Sequence, residues 1–563
     1  MEPQPAPTNP PQARRAASGH CLWAAGVGLL FVVLKLLPYW TTPFAQPDRL
    51  FLGFPYSVED TLQYADLVAQ ARNGSFFFSN HFTLSGEIPR LGLLSLWLTG
   101  RLAAATGQSV AMAWMVAHGL LIFGFVLALY GFLGMFFPDR RWRWGAWLFV
   151  LFAGGLDGWV VLVKDLLPTW AVPVLKRDLW PVLGWTPYMT MYNPVYLAGW
   201  LTLLGFFWML WRGLAGEKRW LGIASLWLGV MALVHPYDAV IGVGALLCAL
   251  AHSLFVRLDP AAFRADLQKV LWLIPGLFLC WLWAKVESSD PLLVRITQAS
   301  HSGLFVSPLV WFVGFGGILL FAFYGMRGLG DRDIRARLLF GWLVTATLLS
   351  FSPFYEGRHF LYFVSLPLGI VAVDGLRSLS ARVRLVGRAR WAVAVGLALL
   401  LGGSFVRETL RNFQVPATEL RGFVYPHEWS LAKHLAELPR GGVLAARESG
   451  LWLPHLTGQR VVMGHWFMTT DMFAKQKMLD QLLDPATPPA ERDRLFEGFG
   501  ARYLFFGPRE RALGPVPRTD KVRLLPLRQI GPSVLFVIDL PPKDSPSSAP
   551  PPDEKIDTAP GSG

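Results

Sequence analysis

Adjacent carboxylates at Glu59 and Asp60 open the stretch SVEDTLQYADLVAQARNG, in which Val58, Leu62, Ala65, Val68 and Ala69 recur at helical spacing and Asn73 with Gly74 supplies a stop. A carboxylate at such a helix start, held near a membrane interface, can face a lipid headgroup and still take the proton of an incoming hydroxyl, which is general-base chemistry. The same residues admit a structural reading. Ser57 and Asp60 fit a capping box, in which the acid satisfies free backbone N–H groups and offsets the helix dipole.

Three further groups carry chemistry-bearing side chains. His235, Pro236, Tyr237 and Asp238 form a turn where proline breaks a helix; the His and Asp could line a binding pocket, or Asp238 could cap the next helix. In the run Tyr355, Glu356, Gly357, Arg358, His359, the guanidinium of Arg358 offers a planar fork of donors to phosphate oxygens; alternatively it pairs with Glu356 or reaches toward headgroups. Asp157, in GGLDGW, is an ionisable residue at the end of an apolar stretch, where its cost points to function, although Gly154, Gly155 and Gly158 also permit close helix approach around a buried hydrogen bond. His81 and His301 could join Asp60 on a divalent cation, but no Cys/His or His-x-x-x-His spacing supports a metal centre, and no other cofactor is expected.

The elements that must position these groups are apolar. Of the 563 residues 53% are hydrophobic, 14% aromatic and only 16% charged, which excludes an ordinary soluble protein. A hydrocarbon core about 30 Å thick needs about twenty apolar residues in a helix. Eleven spans are expected, over 21–39, 110–137, 142–163, 188–211, 220–234, 239–256, 270–286, 304–326, 338–352, 359–373 and 391–405. Basic connectors alternate with acidic ones. Arg14 and Arg15, the Arg140 cluster, Arg212 with Lys218 and Arg219, Arg257 to Lys269, Arg327 to Arg337 and Arg377 to Arg390 mark the cytoplasmic side by the positive-inside rule. The opposite loops carry Glu59, Asp60, Asp66, Asp165, Asp178, Asp238, Asp290 and Glu356, and so face outward. The net charge of +13 sits mostly in the basic connectors, so it reads as a topology signal and not as a nucleic-acid footprint. Lys35 and Lys285 are spaced to reach the interface, with no chemistry assigned.

Within the first outer loop, 41–109, the apolar stretch 90–107 contains Arg101 and is too short to span without inverting every later connector; it is expected as a helix on the membrane surface. Residues 1–20 and 541–563, rich in Pro with Ala or Ser, are expected to be disordered, the first span acting as an uncleaved anchor. After a membrane domain over 21–405, short strand-like runs at 443–446, 460–463, 503–506 and 534–538 alternate with helical stretches near 428–438 and 471–483. They predict a small α/β domain over 406–540 on the outer face. Cys21, Cys248 and Cys280 all fall in expected spans and provide no disulfide framework.

The run Asp60, Thr61, Leu62, Gln63, Tyr64, Ala65 resembles the first-loop signature of the GT-C integral membrane glycosyltransferases, such as aminoarabinose transferases and protein O-mannosyltransferases. There an Asp, usually followed by Glu, precedes Tyr-Ala on the next helical turn; here Thr61 occupies the second acidic position and Glu59 lies ahead instead. QARNGSFFFSNHFT with GEIP, LWLPHLTGQRVVMGHW and YLFFGPRERAL are similar to bacterial membrane proteins grouped near this superfamily. The resemblance implies a mainly α, polytopic GT-C-like fold in a bacterial inner membrane, with a cytoplasmic N-terminus and a periplasmic C-terminal domain. It also implies transfer of a sugar from a polyprenyl phosphate to a glycan, lipid or protein acceptor. Asp60, helped by Glu59, would then be the catalytic base, and Tyr64, His81, Asp157, His235, Tyr237, Asp238, Arg358 and His359 would bind substrate. Two other classes stand beside it. A transporter or flippase would require broken helices and ionisable groups at the membrane midplane. A non-catalytic relative would bind envelope polysaccharide through its outer domain.

Overall fold

A computed structural model describes residues 10–84, 90–91, 93–154, 158–159, 186–256, 258–289, 308–326, 333–351, 357–383 and 387–541. The chain is mainly helical, and every expected span overlaps a helix. Among the described residues, six helical segments are long and apolar enough to cross a bilayer: Leu22–Ala45, Val110–Leu133, Pro194–Leu214, Pro236–Phe255, Phe263–Ser288 and His359–Val383. The helices Arg140–Phe152, Arg219–Val234, Pro308–Met326, Ile334–Ser350 and Gly387–Leu401 accompany them. The first helix already begins at Pro10, inside the stretch expected to lack structure.

Large aromatics and glycines together set the bundle's packing. Phe207 and Trp342 stack with ring centroids 4.6 Å apart and planes 2° from parallel, next to the buried Trp200. Gly325 and Gly375 let two helices touch backbone to backbone: a Cβ on either would lie 2.0 Å from a carbonyl oxygen of the other helix. Lys35 does not extend to an interface. It is fully buried, its ammonium 3.8 Å from the centroid of the Tyr188 ring, and helix Gly403–Thr418 places Glu408 at electrostatic range.

The expected surface helix of the first loop is Leu94–Thr106. It crosses helix Val58–Arg72 at Gly100, where a Cβ would meet Ala71 Cβ at 2.4 Å and the Val68 carbonyl oxygen at 2.6 Å. The other face of Val58–Arg72 joins the C-terminal domain. Val58, Leu62, Ala65 and Val68 share one buried cluster with Leu431, Leu435, Val443 and Trp452, and Leu50–Phe51 pairs antiparallel with Phe423–Val424. The first loop and the C-terminal domain therefore have a common core.

That domain holds a five-stranded mixed sheet. Gly442–Leu444 lies parallel between Arg460–Val461 and Tyr503–Phe506, while Ser533–Asp539 runs antiparallel between Tyr503–Phe506 and the edge strand Arg523–Ile530. The edge strand has no counterpart in the sequence expectation because RLLPLRQI carries Pro526. At an edge, with an irregularity in register between Pro526 and Arg528, a missing N–H is tolerated.

Candidate functional site at the start of the acidic helix

Helix Val58–Arg72 begins at Ser57, whose φ of 40° and ψ of 55° put a non-glycine residue in the left-handed region. In that conformation the capping box does not form. The Ser57 hydroxyl accepts no cap hydrogen bond and instead donates to Asp60 Oδ2 at 2.8 Å. Asp60 is thus not consumed by the helix terminus.

Its other oxygen, Oδ1, lies 3.3 Å from His465 Nε2. The backbone N–H groups of Phe467 and Met468 both point at His465 Nδ1, each at 3.2 Å. Since Nδ1 accepts, the ring proton of the neutral imidazole sits on Nε2 and is donated to Asp60. The two side chains differ in access: His465 is 2% exposed and Asp60 46%. Burial acts to raise the Asp60 carboxyl, but the His465 contact, then the Ser57 hydroxyl and the more distant His359, outweigh it and hold the group below the ordinary aspartate value.

Glu59 has a different occupation. It accepts from Arg421 Nη1 at 2.6 Å on one oxygen and from Arg447 on the other, where the Trp466 N–H also donates at 3.2 Å. Arg421 is in turn forked onto Glu419 at 2.7 Å. With both oxygens engaged by the C-terminal domain, Glu59 is a tie between two parts of the chain and not a second free base. Because both arginines remain more than a third exposed, removing the tie in Glu59→Ala should cost only about 1 kcal/mol. Thermal melting checks this, with a shift that shrinks at high salt.

Beyond Asp60 stands a group of aromatic and imidazole rings. Tyr237 stacks on His359 with centroids 5.4 Å apart and His359 on Tyr362 at 5.9 Å, Tyr362 lies tilted against Tyr196 at 4.8 Å, and Tyr196 meets His235 edge-on at 5.4 Å. The Tyr192 and Tyr362 hydroxyls are 3.4 Å apart. His235 Nδ1 lies 2.5 Å from Asp238 Oδ2, and Asp238 is 1% exposed with no partner for Oδ1 among the described residues. His235, the residue at the cap of helix Pro236–Ala251, makes no side-chain cap bond, and Asp238 lies in the first turn. Gly199 makes room for this turn, since a Cβ there would lie 2.3 Å from Asp238 Oδ2. Tyr64 links the two halves: one helical turn after Asp60, its phenol is pushed above the ordinary value by burial and then by the fields of Asp60, Tyr192 and Tyr237.

Asp60, Glu59, Tyr64, His235, Tyr237, Asp238 and His359 are therefore neighbours or at electrostatic range of one another. His81 is elsewhere. It is 4% exposed and holds Asp66 Oδ1 at 2.8 Å, with Gln70 on the other oxygen of that carboxylate at 2.9 Å. Asp66 lies on a different face of the helix from Asp60, so His81 and Asp60 do not form the expected cation pair. Among the described residues no three His, Cys, Asp or Glu side chains are grouped to hold a metal ion. Arg358 is the second residue of the turn Gly357–Phe363, its side chain outside the described set, and Asp157, Asp165, Asp178, Asp290, His301 and Glu356 also lie outside the described residues. Sequence reasoning missed His465, Arg421, Arg447, Tyr192, Tyr196 and Tyr362, and it took Trp466 only as a loop aromatic that could stack on a ring or pack. Only His465 and Trp466 carried a signal, as the end of LWLPHLTGQRVVMGHW.

No family model and no curated protein sequence matches the chain. Solved structures do. ArnT from Cupriavidus metallidurans bound to undecaprenyl phosphate superposes with a TM-score of 0.52 at 13% identity over 93% of this chain and 99% of that one. Its apo state gives 0.51 at 15% over 93% and 98%. The Archaeoglobus fulgidus oligosaccharyltransferase tethered with an acceptor peptide gives 0.51 at 12% over 86% and 68%. These superpositions, over nearly the whole length of ArnT, show that the chain shares the fold of ArnT and of the Archaeoglobus fulgidus oligosaccharyltransferase.

Proposed function

We propose that the protein transfers a sugar from a polyprenyl-phosphate donor to a glycan, lipid or protein acceptor on the periplasmic face of a bacterial inner membrane, with inversion at the anomeric carbon. The observation that carries this reading is the accessible carboxylate of Asp60, free of the helix cap, held by His465 and Ser57 and at electrostatic range of Tyr64, Tyr192, Tyr196 and His359. Asp60 accepts the proton of the acceptor hydroxyl while that oxygen bonds to the anomeric carbon. The bond from that carbon to the lipid phosphate breaks, and its electron pair leaves with the phosphate. Arg358, on the turn that also carries His359, neutralises the departing group.

The remaining residues bind and orient. Tyr237, Tyr196 and Tyr362 offer ring faces to a sugar, and the buried Asp238 Oδ1 offers an acceptor to one of its hydroxyls, with His235 holding the other oxygen. Asp157 is proposed as a further substrate-binding residue. Membrane lipids border the site, residues 21–405 form the membrane domain, and 406–540 the periplasmic one.

The test is transfer itself. Full-length protein in proteoliposomes, given radiolabelled polyprenyl-phosphate sugars and membrane acceptors, should move label from the lipid to an acceptor in an Asp60-dependent way. Solute uptake without transfer would establish a transporter in its place, and retained biological function in a variant lacking both Glu59 and Asp60 would establish a non-catalytic binder.

A further inference from the structure

We propose that His465 of the C-terminal domain is the positioning residue for Asp60: the transferase site is completed by a domain 405 positions further along the same chain, which orients the carboxylate and keeps it ready to accept a proton. This rests on Asp60 being the base.

The geometry is specific. His465 is 2% exposed and cannot swing into solvent. Its ring is pinned from behind by the N–H groups of Phe467 and Met468, which fix the tautomer that presents Nε2–H forward. Asp60 Oδ1 receives that proton's hydrogen bond and Oδ2 receives that of Ser57, so the carboxylate is held at both oxygens while retaining lone pairs for a third donor. A merely structural imidazole would need only the Nδ1 contacts that shape its own turn. The domain is also locked in register by Arg421 and Arg447 on Glu59, the residue beside Asp60, and by the Trp466 N–H, the residue beside His465. Among the described residues, the charged and titratable groups at electrostatic range of Asp60 are Glu59 with its two arginines, Tyr64 from its own helix, Tyr192 and Tyr196, His359 from the Gly357–Phe363 turn, and His465.

Two substitutions separate the two sides of the ring. In His465→Asn the amide oxygen falls near Nδ1 and can keep the turn, but no donor reaches Asp60. In His465→Gln the amide nitrogen falls near Nε2 and can donate. Purified full-length protein is treated with a water-soluble carbodiimide, which reacts with protonated carboxyls, across a pH series, and modification of the Asp60 peptide is read by mass spectrometry. The expected result is a midpoint for His465→Asn at higher pH than wild type, with His465→Gln between them. In the transfer assay kcat should fall about 10- to 100-fold in His465→Asn with KM unchanged, and partly recover in His465→Gln. An unchanged midpoint in His465→Asn, or a Gln variant no better than the Asn variant although both melt as wild type does, overturns the proposal. The midpoint of carbodiimide modification does not depend on the transferase reading, which fails separately if Asp60→Asn is active.

Discussion

Asp60→Asn should lower the rate of sugar transfer about 10²- to 10⁴-fold, a loss of roughly 3–5 kcal/mol in the barrier, while leaving the melting temperature nearly unchanged. The substitution is close to isosteric. The amide oxygen can still accept from His465 Nε2, and the side chain is 46% exposed, so no buried group is stranded. Only the ability to take a proton is removed. The pH dependence of the wild type follows from the same contacts. The carboxyl is held below the ordinary aspartate value of 3.8, and so stays ionised through that value and protonates only at lower pH. Transfer should therefore keep its base down to that pH and lose it on an acid limb below, and any stability from the His465 contact disappears over the same range. A purified Asp60→Asn protein that transfers label at the wild-type rate removes the carboxylate from the reaction.

Much of this arrangement was legible in the sequence, for reasons that also explain what was not. Apolar length is a local property, so each expected span overlaps a helix, and the short 90–107 stretch with Arg101 proved to be the helix Leu94–Thr106 lying against its neighbour. The HPYD turn was readable because proline marks the helix start, where Pro236 opens the next helix. The chemistry of Ser57 and Asp60 was not decided by spacing. A capping box needs an extended residue at the cap, and the left-handed Ser57 reverses the hydrogen bond, which no residue pattern encodes. Helical phase separated Asp60 from Asp66 and gave His81 to the latter. Lys35 was expected at an interface because the sequence does not show that helix Gly403–Thr418 packs nearby. His465 reaches Asp60 only through the shared core of loop and C-terminal domain, a contact between distant segments that periodicity does not report.

The second large effect is expected far from the reacting atoms. The Arg509 side chain, in the GPRER run, should be indispensable to the C-terminal domain: Arg509→Ala should destabilise it by about 3–5 kcal/mol, the usual result of stranding a buried charge. Glu428 is 0% exposed, and both its oxygens lie within 3.2 Å of Arg509 Nη1, while Nη2 donates to the Phe423 carbonyl at 2.7 Å. The same carboxylate receives the Tyr425 N–H at 2.9 Å and so closes the start of helix Pro426–Glu437. Glu510, the next residue of the run, accepts from the Ala446 and Gly507 N–H groups at 2.8 Å and joins two segments of the sheet region. Arg509 therefore holds together the helix start and the Phe423–Val424 strand that pairs with the first loop. Thermal melting with proteolysis of the C-terminal domain reads the effect, and Arg509→Ala combined with Glu428→Gln should recover part of the loss, because the stranded charge is then gone. Since that domain also carries His465 and Arg447, transfer should fall in Arg509→Ala as the domain unfolds and return in the double variant. Loss of transfer in Arg509→Ala without loss of melting temperature would instead place the guanidinium in the reaction, and no contact made by Arg509 leads there.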